Sequence, residues 1–271
     1  MTFEMSQWLK NRLNLAKHRR SSVIKGLAVV SRSFERLCEN VNYDPRYNGE
    51  ERILRCLRPF EPRCVFDVGA NRGDWALMCR RQLPGTTIHC FEIADETRLA
   101  LTARIGHAPG FVINEFGLSN RSGTTAINYC RAQDEVTSEI TYPHGLPTVA
   151  VEARVRRLDE YVAERGIRTI DFLKIDVEGA EPLVLEGAAG SLQSGVIDVI
   201  QFEYGLVNIL THFLLRDFYE QLSRVGYLIG KLYPSYVDFR PYRLVDEDFL
   251  GPNYLAVKRT RQDLILAMNQ P

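Results

Sequence analysis

The chain has 271 residues and a mass of 31.0 kDa, which fits one large domain or two small ones. Its composition, 45% hydrophobic and 25% charged, is typical of a globular protein and argues against a disordered or fibrous chain. The 34 basic and 34 acidic residues cancel. With no net positive field to attract nucleic acid, we expect no nucleic-acid partner.

Cysteine spacing and the first residues both indicate the cytoplasm. The six cysteines form no Cys-x-x-Cys pair and have no histidine at metal-ligand spacing, which is typical of free thiols in a reducing compartment. No signal-peptide pattern precedes the domain, and no apolar run approaches the ~18 residues of a membrane span. We therefore expect a cytoplasmic protein with no membrane span.

The first forty residues carry eight basic residues against three acidic ones, and apolar side chains recur among them at helical spacing. The apolar set is Leu9, Leu13, Ala16, Ile24, Leu27 and Val30. One interpretation is a pair of helices that packs on the domain or on a second copy of the chain, giving a homo-oligomer. The other is a basic amphipathic surface that contacts an anionic membrane or a glycolipid.

From residue 64 onward, short strand patterns alternate with helix patterns. The predicted strands are Cys64–Val68, Thr86–Ile93, Phe111–Phe116, Thr124–Tyr129, Val149–Val155, Ile170–Asp176, Val196–Glu203, Tyr227–Leu232 and Tyr254–Val257. The predicted helices are Asp74–Gln82, Asp95–Ile105, Leu158–Glu164, Pro182–Gly187 and His212–Arg224. This alternation predicts βαβ units around a parallel sheet, and ligands of such sheets bind beyond the carboxyl ends of the strands.

The first predicted strand leads into a turn that contains Gly69 and Gly73. The dinucleotide fingerprint fails here, because its later glycines would fall on Asn71 and Asp74. Glycines at these positions still allow a sharp turn and a close approach of the backbone to a nucleoside, where a Cβ would intrude. Asp67, just before the turn, is placed to accept a hydrogen bond from a cofactor ammonium.

The second strand pattern ends at Glu92, 19 residues beyond Gly73. In α/β nucleoside sites, an acidic residue about 20 residues after the glycine turn accepts hydrogen bonds from a ribose diol. A glutamate at a strand end is by itself an ordinary exposed residue. Combined with the glycine turn, it predicts a ribose contact at Glu92.

The segment from Asp171 to Glu181 holds four acidic residues and a lysine at the end of a strand. Strand alternation places Lys174 and Asp176 on one face. Buried charges are costly unless they are paired or used, so we interpret this segment, with Glu178, as chemical machinery. Glu203 repeats the pattern at the end of the next strand. The alternative is an ion-pair network that only holds loops together.

These motifs resemble the FkbM-type methyltransferases, a branch of the S-adenosylmethionine-dependent enzymes. The resemblance rests on Phe66–Trp75, Phe91-Glu92, Arg157–Tyr161, Lys174–Glu181 and Asn253–Val257. It implies an α/β, Rossmann-like sheet of seven mostly parallel strands, the class I methyltransferase fold, in residues 51–260. Residues 1–50 would form a helical extension, and residues 261–271 a tail.

The resemblance also implies S-adenosylmethionine as the cofactor and a hydroxyl group of a small molecule or glycan as the acceptor. The implied cofactor contacts are Asp67, Gly69 and Asn71 on the methionine side, Gly73 in the same turn, Glu92 at the ribose, and Gly117, Leu118 and Ser119 near the adenine. The implied catalytic set that faces the acceptor is Lys174, Asp176, Glu178 and Glu203.

Methylation of a hydroxyl requires a group that takes its proton, and four candidates remain open. Burial can raise the pKa of Asp176 or Glu178 toward the operating pH. Lys174 can act if it is neutral, and His144 lies in residues 133–148, which form either an acceptor-binding lid or an inert surface loop. A divalent cation, Mg²⁺ or Mn²⁺, would suit the all-oxygen set of Asp176, Glu178 and Glu203.

The function expected is therefore an O-methyltransferase that acts on a sugar, a glycolipid or a secondary metabolite. One competing interpretation is a methyltransferase with a nitrogen or nucleic-acid acceptor. The other is a non-catalytic nucleoside-binding or scaffold domain, which would have no need to concentrate carboxylates at a strand end. A dehydrogenase is disfavoured by the missing fingerprint glycines.

Overall fold

The computed structural model describes residue 11 and residues 14–141 and 145–270, and two β-sheets account for its strands. The strands are β1 (Cys64–Val68), β2 (Thr87–Phe91), β3 (Phe111–Asn114), β4 (Gly117–Leu118), β5 (Gly123–Tyr129), β6 (Val149–Arg156), β7 (Phe172–Ile175), β8 (Val199–Glu203), β9 (Tyr227–Leu232), β10 (Val237–Phe239) and β11 (Asn253–Lys258). The α-helices are α1 (Ser22–Cys38), α2 (Glu50–Leu57), α3 (Asp74–Gln82), α4 (Asp95–Ile105), α5 (Leu158–Arg165), α6 (Glu181–Gly187), α7 (Ala189–Gln193), α8 (Asn208–Thr211), α9 (Leu215–Arg224) and α10 (Gln262–Asn269).

The larger sheet has the strand order β10-β9-β11-β8-β7-β1-β2-β3. Strands β3, β2, β1, β7 and β8 are parallel, and β11 is antiparallel to both of its neighbours, β8 and β9. The predicted class I methyltransferase fold is confirmed. The eighth strand, β10, is short and pairs antiparallel with β9 in a hairpin at the edge of the sheet. A second sheet holds β4, β6 and β5.

Both faces of the central strands are buried, which explains their uninterrupted apolar sequences. Residues 65–68 in β1 and 88–91 in β2 are all buried. One face packs against a core that includes Tyr161 and Phe202, and the other against a core that includes Trp75 and Phe172. Helix α10 falls in the segment expected to be a tail, but it buries Met268 in the second core.

Helix α1 contributes nothing to these cores, because it has no buried residue. Its exposed apolar side chains are Val23, Leu27, Val29, Val30, Phe34 and Leu37. Packing of this helix on the domain, one of the two expectations, is therefore not found; contact with a second copy or with a membrane stays a prediction. Leu9 and Leu13 lie outside the described residues. Within the described part of the chain, no helix combines the length and apolarity needed to cross a membrane.

The structure differs from the predicted helices at the end of β8. The predicted helix His212–Arg224 begins only at Leu215, and the short helix α8 precedes it. His212 adopts a left-handed backbone conformation with φ +55°, which breaks the helical pattern between the two. Helix α2 was not predicted, although Ile53, Leu54 and Leu57 recur in it at helical spacing and are buried.

Candidate active site

The strand register brings the predicted site residues to one edge of the sheet. Phe91 pairs with Val68 and Val68 pairs with Ile175, so the next residue of each strand (Glu92, Gly69 and Asp176) follows at the same level. Ile175 pairs with Phe202, which sets Asp176 beside Glu203. Neighbouring strands lie about 4.8 Å apart, so these four residues form a continuous row at the carboxyl edge.

Gly69 allows the chain to turn sharply at this edge. Its φ is +81°, and a Cβ at this position would lie 1.8 Å from the backbone oxygen of Asp176. The amides of Gly69 and Ala70 both donate to the carbonyl oxygen of Phe91, at 3.0 Å. The turn therefore requires glycine for two reasons, its backbone conformation and the close approach of the neighbouring strand.

Asp67 is fully buried below this turn without a hydrogen-bond donor. Neither of its carboxylate oxygens accepts a hydrogen bond from a described residue, and the Nζ atom of Lys174 lies 3.7 Å away. Burial raises the pKa of Asp67 to about 6, against the opposing effect of Lys174. A buried carboxylate without donors is costly, and a cationic or N–H-bearing ligand would relieve that cost.

Glu92 fastens the glycine turn to the end of β2. Its two carboxylate oxygens accept hydrogen bonds from the backbone amides of Asn71, at 2.9 Å, and Ala94, at 2.8 Å. Burial nevertheless raises the pKa of Glu92 to about 7. Gly69, Asn71 and Glu92 all line one cavity at the sheet edge.

The raised pKa of Glu92 predicts a pH-dependent stability. Between pH 8 and pH 5 the folded state takes up a proton at Glu92 that the unfolded state does not, so acidification favours folding. We expect the free energy of unfolding of the wild-type protein to gain about 2 to 3 kcal/mol relative to Glu92→Gln over this range. Urea denaturation of both proteins at pH 5, 6, 7 and 8 measures the difference.

His89 titrates in the opposite direction, since burial lowers its pKa to about 4. The contribution of His89 to the free energy of unfolding is present in both the wild-type and the Glu92→Gln protein, so it cancels when the two are compared. Parallel pH curves for the wild-type and Glu92→Gln proteins would show that Glu92 does not take up this proton.

Ser119 differs from its predicted position as a cofactor contact. Its side chain is fully buried and donates a hydrogen bond to Glu139 at 2.9 Å. Gly117 and Leu118 line the cavity, but Ser119 does not. A contact between adenine and the Ser119 hydroxyl is therefore not supported, because this hydroxyl is engaged within the protein.

Part of residues 133–148 lines the cavity. Asp134, Ser138 and Glu139 belong to its lining, although none of them was named as a site residue from the sequence. Arg72 Nε donates to Asp134 at 2.8 Å, and Ser138 Oγ donates to the carbonyl oxygen of Val177 at 3.1 Å. The sequence offered only the loop composition as a signal. Residues 142–144, which include His144, lie outside the described residues.

Three carboxylates cluster beyond the turn, as their positions at the strand ends predicted. Asp176, Glu178 and Glu203 each place an oxygen within 4.8 Å of the others. Burial, with repulsion from Asp176, raises the pKa of Glu178 to about 8 and that of Glu203 well above its ordinary value. At neutral pH this cluster holds protons that isolated carboxylates would lose.

Lys174 lies between this cluster and Asp67. Its Nζ atom lies 2.7 Å from Asp176 and 5.6 Å from the centre of the Trp75 ring, besides its approach to Asp67. Burial alone would lower the pKa of Lys174, but Asp176, Asp67 and Glu50 outweigh burial and raise it above its ordinary value. Lys174 is therefore a fixed cation, which contradicts the alternative of a neutral lysine base.

The sequence model of the FkbM methyltransferase domain matches residues 67–229, which is more than half of the chain and spans every residue of this row. The chain belongs to the FkbM methyltransferase domain family.

Two curated relatives and one crystal structure are similar to this chain. The 31-O-demethyl-FK506 methyltransferase FkbM of Streptomyces tacrolimicus is 31% identical over 48% of this chain and 60% of its own length. The hexuronic acid methyltransferase AglP of Haloferax volcanii is 27% identical over 58% of this chain and 64% of its own length. The chain thus spans less than two thirds of either relative. A methyltransferase FkbM from Methylobacillus flagellatus aligns over 73% of this chain and 44% of its own, with 14% identity and a TM-score of 0.47.

Within this FkbM domain, Glu181 orders the turn that carries Glu178. Its Oε1 atom accepts hydrogen bonds from the backbone amides of Val177, at 3.1 Å, and Gly179, at 3.2 Å. Glu178 itself has φ +53°, a conformation that few residues other than glycine adopt. Glu181 therefore stabilises the backbone of this turn from a buried position.

The carboxylates of this FkbM domain also meet the chemical requirement for a divalent cation. Asp176, Glu178 and Glu203 offer only oxygen ligands, which Mg²⁺ and Mn²⁺ prefer. Lys174, however, already places a positive charge 2.7 Å from Asp176 and competes with a metal for this carboxylate.

Proposed function

We propose that this chain is an S-adenosylmethionine-dependent O-methyltransferase that acts on a hydroxyl of a sugar, a glycolipid or a secondary metabolite. One observation carries the proposal: Glu92 and the glycine turn, with the donor-free Asp67 buried beneath them, share a single row with a cluster of carboxylates. Family membership supports the same activity. The two curated relatives are named for a demethylated FK506 and for hexuronic acid, which fall within the acceptor class proposed.

The residues on the first half of the row bind the cofactor. Asp67 supplies buried negative charge for its ammonium or sulfonium, and Gly69 gives the backbone room to approach it. Glu92 holds the turn and accepts hydrogen bonds from the ribose diol. When bound, S-adenosylmethionine supplies a methyl group on a positively charged sulfur, which is already a strong electrophile.

The residues on the second half orient the acceptor and take its proton. Asp176, held by Lys174, lies next to the glycine turn and accepts a hydrogen bond from the acceptor hydroxyl. The deprotonated form of Glu178, whose fraction rises as the pH approaches its pKa of about 8, would receive the proton as the new C–O bond forms and the bond between the methyl group and sulfur breaks. Because Lys174 supplies the local positive charge, the proposal assigns no divalent cation to this cluster.

Titration calorimetry of the EDTA-treated protein tests the cofactor assignment. We expect micromolar binding of S-adenosylmethionine and S-adenosylhomocysteine and no binding of NAD. Titration with MnCl₂ alone should give no stoichiometric binding. Absence of binding by both sulfur nucleosides would favour a scaffold domain, and one equivalent of bound Mn²⁺ that Asp176→Asn abolishes would add a cation to the site.

A further inference from the structure

The carboxyl edge of the sheet continues beyond Asp176 and Glu203 toward β9. Asn253 pairs with Glu203, and Tyr254 pairs with Lys231, so Leu232 lies at the same level as Glu203, two strands away. Two strand spacings correspond to about 10 Å. The end of β9 and Tyr233, the residue that follows it, therefore extend the row of site residues by roughly the length of a disaccharide.

Tyrosine rings occupy this end of the row. The rings of Tyr233 and Tyr236 stack with their centres 5.1 Å apart and their planes 15° apart, and Tyr236 is 38% exposed. Tyr47, 66% exposed, lies in the loop whose Gly49 approaches the backbone of Tyr233. In that loop, a Cβ on Gly49 would lie 2.6 Å from the backbone oxygen of Tyr233.

Hydrogen bonds hold the Tyr233 side chain and the backbone around it in place before any ligand binds. The Tyr233 hydroxyl donates to Glu39 at 3.0 Å, and its backbone amide donates to the carbonyl oxygen of Tyr236 at 2.9 Å. The side-chain amide of Asn40 donates to the carbonyl oxygens of Leu232, at 3.0 Å, and Asn48, at 2.8 Å, which fixes the loop to the strand. Prepositioned aromatic surface loses little conformational entropy on binding.

We propose that Tyr47, Tyr233 and Tyr236 form a sugar-binding platform, and that the acceptor is a glycan of at least two units. The methylated unit lies at Asp176 and Glu203, and the adjoining unit stacks its C–H face on the platform, where aromatic rings supply apolar surface beside polar hydroxyl groups. This inference rests on the proposed function and narrows its acceptor class to glycans. The stacked pair is otherwise unused by the proposed chemistry.

A glycan array probed with labelled protein and saturating S-adenosylhomocysteine tests the platform. Printed mono-, di- and trisaccharides are compared for the wild-type protein, Tyr47→Ala, Tyr236→Ala, Tyr236→Phe and, as an aromatic control on helix α1, Phe34→Ala. We expect binding of oligosaccharides in preference to their monosaccharides, a loss of about tenfold in either tyrosine-to-alanine variant, and retention in Tyr236→Phe and Phe34→Ala.

Three results would overturn the platform: no glycan bound, equal binding of monosaccharides, or alanine variants that bind as the wild-type protein does. Tyr47 is in an exposed loop, so Tyr47→Ala remains informative if Tyr236→Ala fails to fold. Calorimetry with S-adenosylhomocysteine separates this inference from the proposed function. A protein that binds the nucleoside but no glycan contradicts the platform alone, whereas one that binds neither contradicts the proposed function as well.

Discussion

The variant Asp176→Asn is expected to bind S-adenosylhomocysteine within threefold of the wild-type affinity and to lose about 10²- to 10⁴-fold in kcat. Asparagine has nearly the same size as aspartate, but it lacks the negative charge that forms an ion pair with Lys174 at 2.7 Å. The acceptor hydroxyl then lacks its anionic hydrogen-bond acceptor, while the cofactor half of the row is unchanged. Single-turnover kinetics with labelled S-adenosylmethionine, together with calorimetry, separate the two effects.

The exposed Glu152 on β6 provides the control, since Glu152→Gln removes a carboxylate away from this row. It should leave both the affinity and kcat unchanged. If Asp176→Asn retains kcat, the acceptor hydroxyl is oriented elsewhere. If Asp176→Asn instead loses nucleoside binding, Asp176 contacts the cofactor, and its assignment to the acceptor is wrong.

The variant Gly69→Ala is expected to lower the free energy of unfolding by about 3 kcal/mol or more and to abolish nucleoside binding. The added Cβ would lie 1.8 Å from the backbone oxygen of Asp176, so β1 and β7 must separate or the turn must change its conformation. Either movement displaces the amides of Gly69 and Ala70 from the carbonyl oxygen of Phe91. Urea denaturation and calorimetry measure the two losses.

Gly166 at the end of α5 is the matched control. It also has a left-handed backbone, with φ +62°, but a Cβ there would meet no atom within 4 Å. Gly166→Ala should therefore show only the conformational cost of about 1 kcal/mol and bind S-adenosylhomocysteine normally. Equal destabilisation by both substitutions would mean that the contact with Asp176 contributes nothing, and that the turn is not a close approach.

The sheet was predictable because its strands are short apolar segments separated by helix patterns. Every strand predicted from the sequence is present, whereas the two-residue β4 and the three-residue β10 were missed. Segments this short carry too little periodicity to be recognised, and pairing with a neighbouring strand decides whether they are extended. Helix α8 was missed for the same reason: it has only four residues.

The positions of Gly69, Asn71 and Glu92 beside one cavity at the sheet edge were predictable from spacing; their contacts with a cofactor stay a prediction. Gly69 and Glu92 have positions that a βαβ unit fixes relative to each other, so their distance along the chain is informative. Ser119 follows a strand end as well, but its side chain turns toward Glu139. A hydrogen bond between two residues of a loop-rich region has no periodic signal in the sequence.

The sequence by itself determined the order of strands and helices, the glycine turn and the acidic strand ends, because these depend on local periodicity and on residue type. Only the tertiary structure decided the protonation of the site. Lys174 is cationic because Asp176 is joined around it by Asp67 and Glu50, which come from distant parts of the chain, and Glu178 has a raised pKa because folding buries it beside Asp176. Desolvation and charge interactions act through space, so their balance appears only when the strands are assembled.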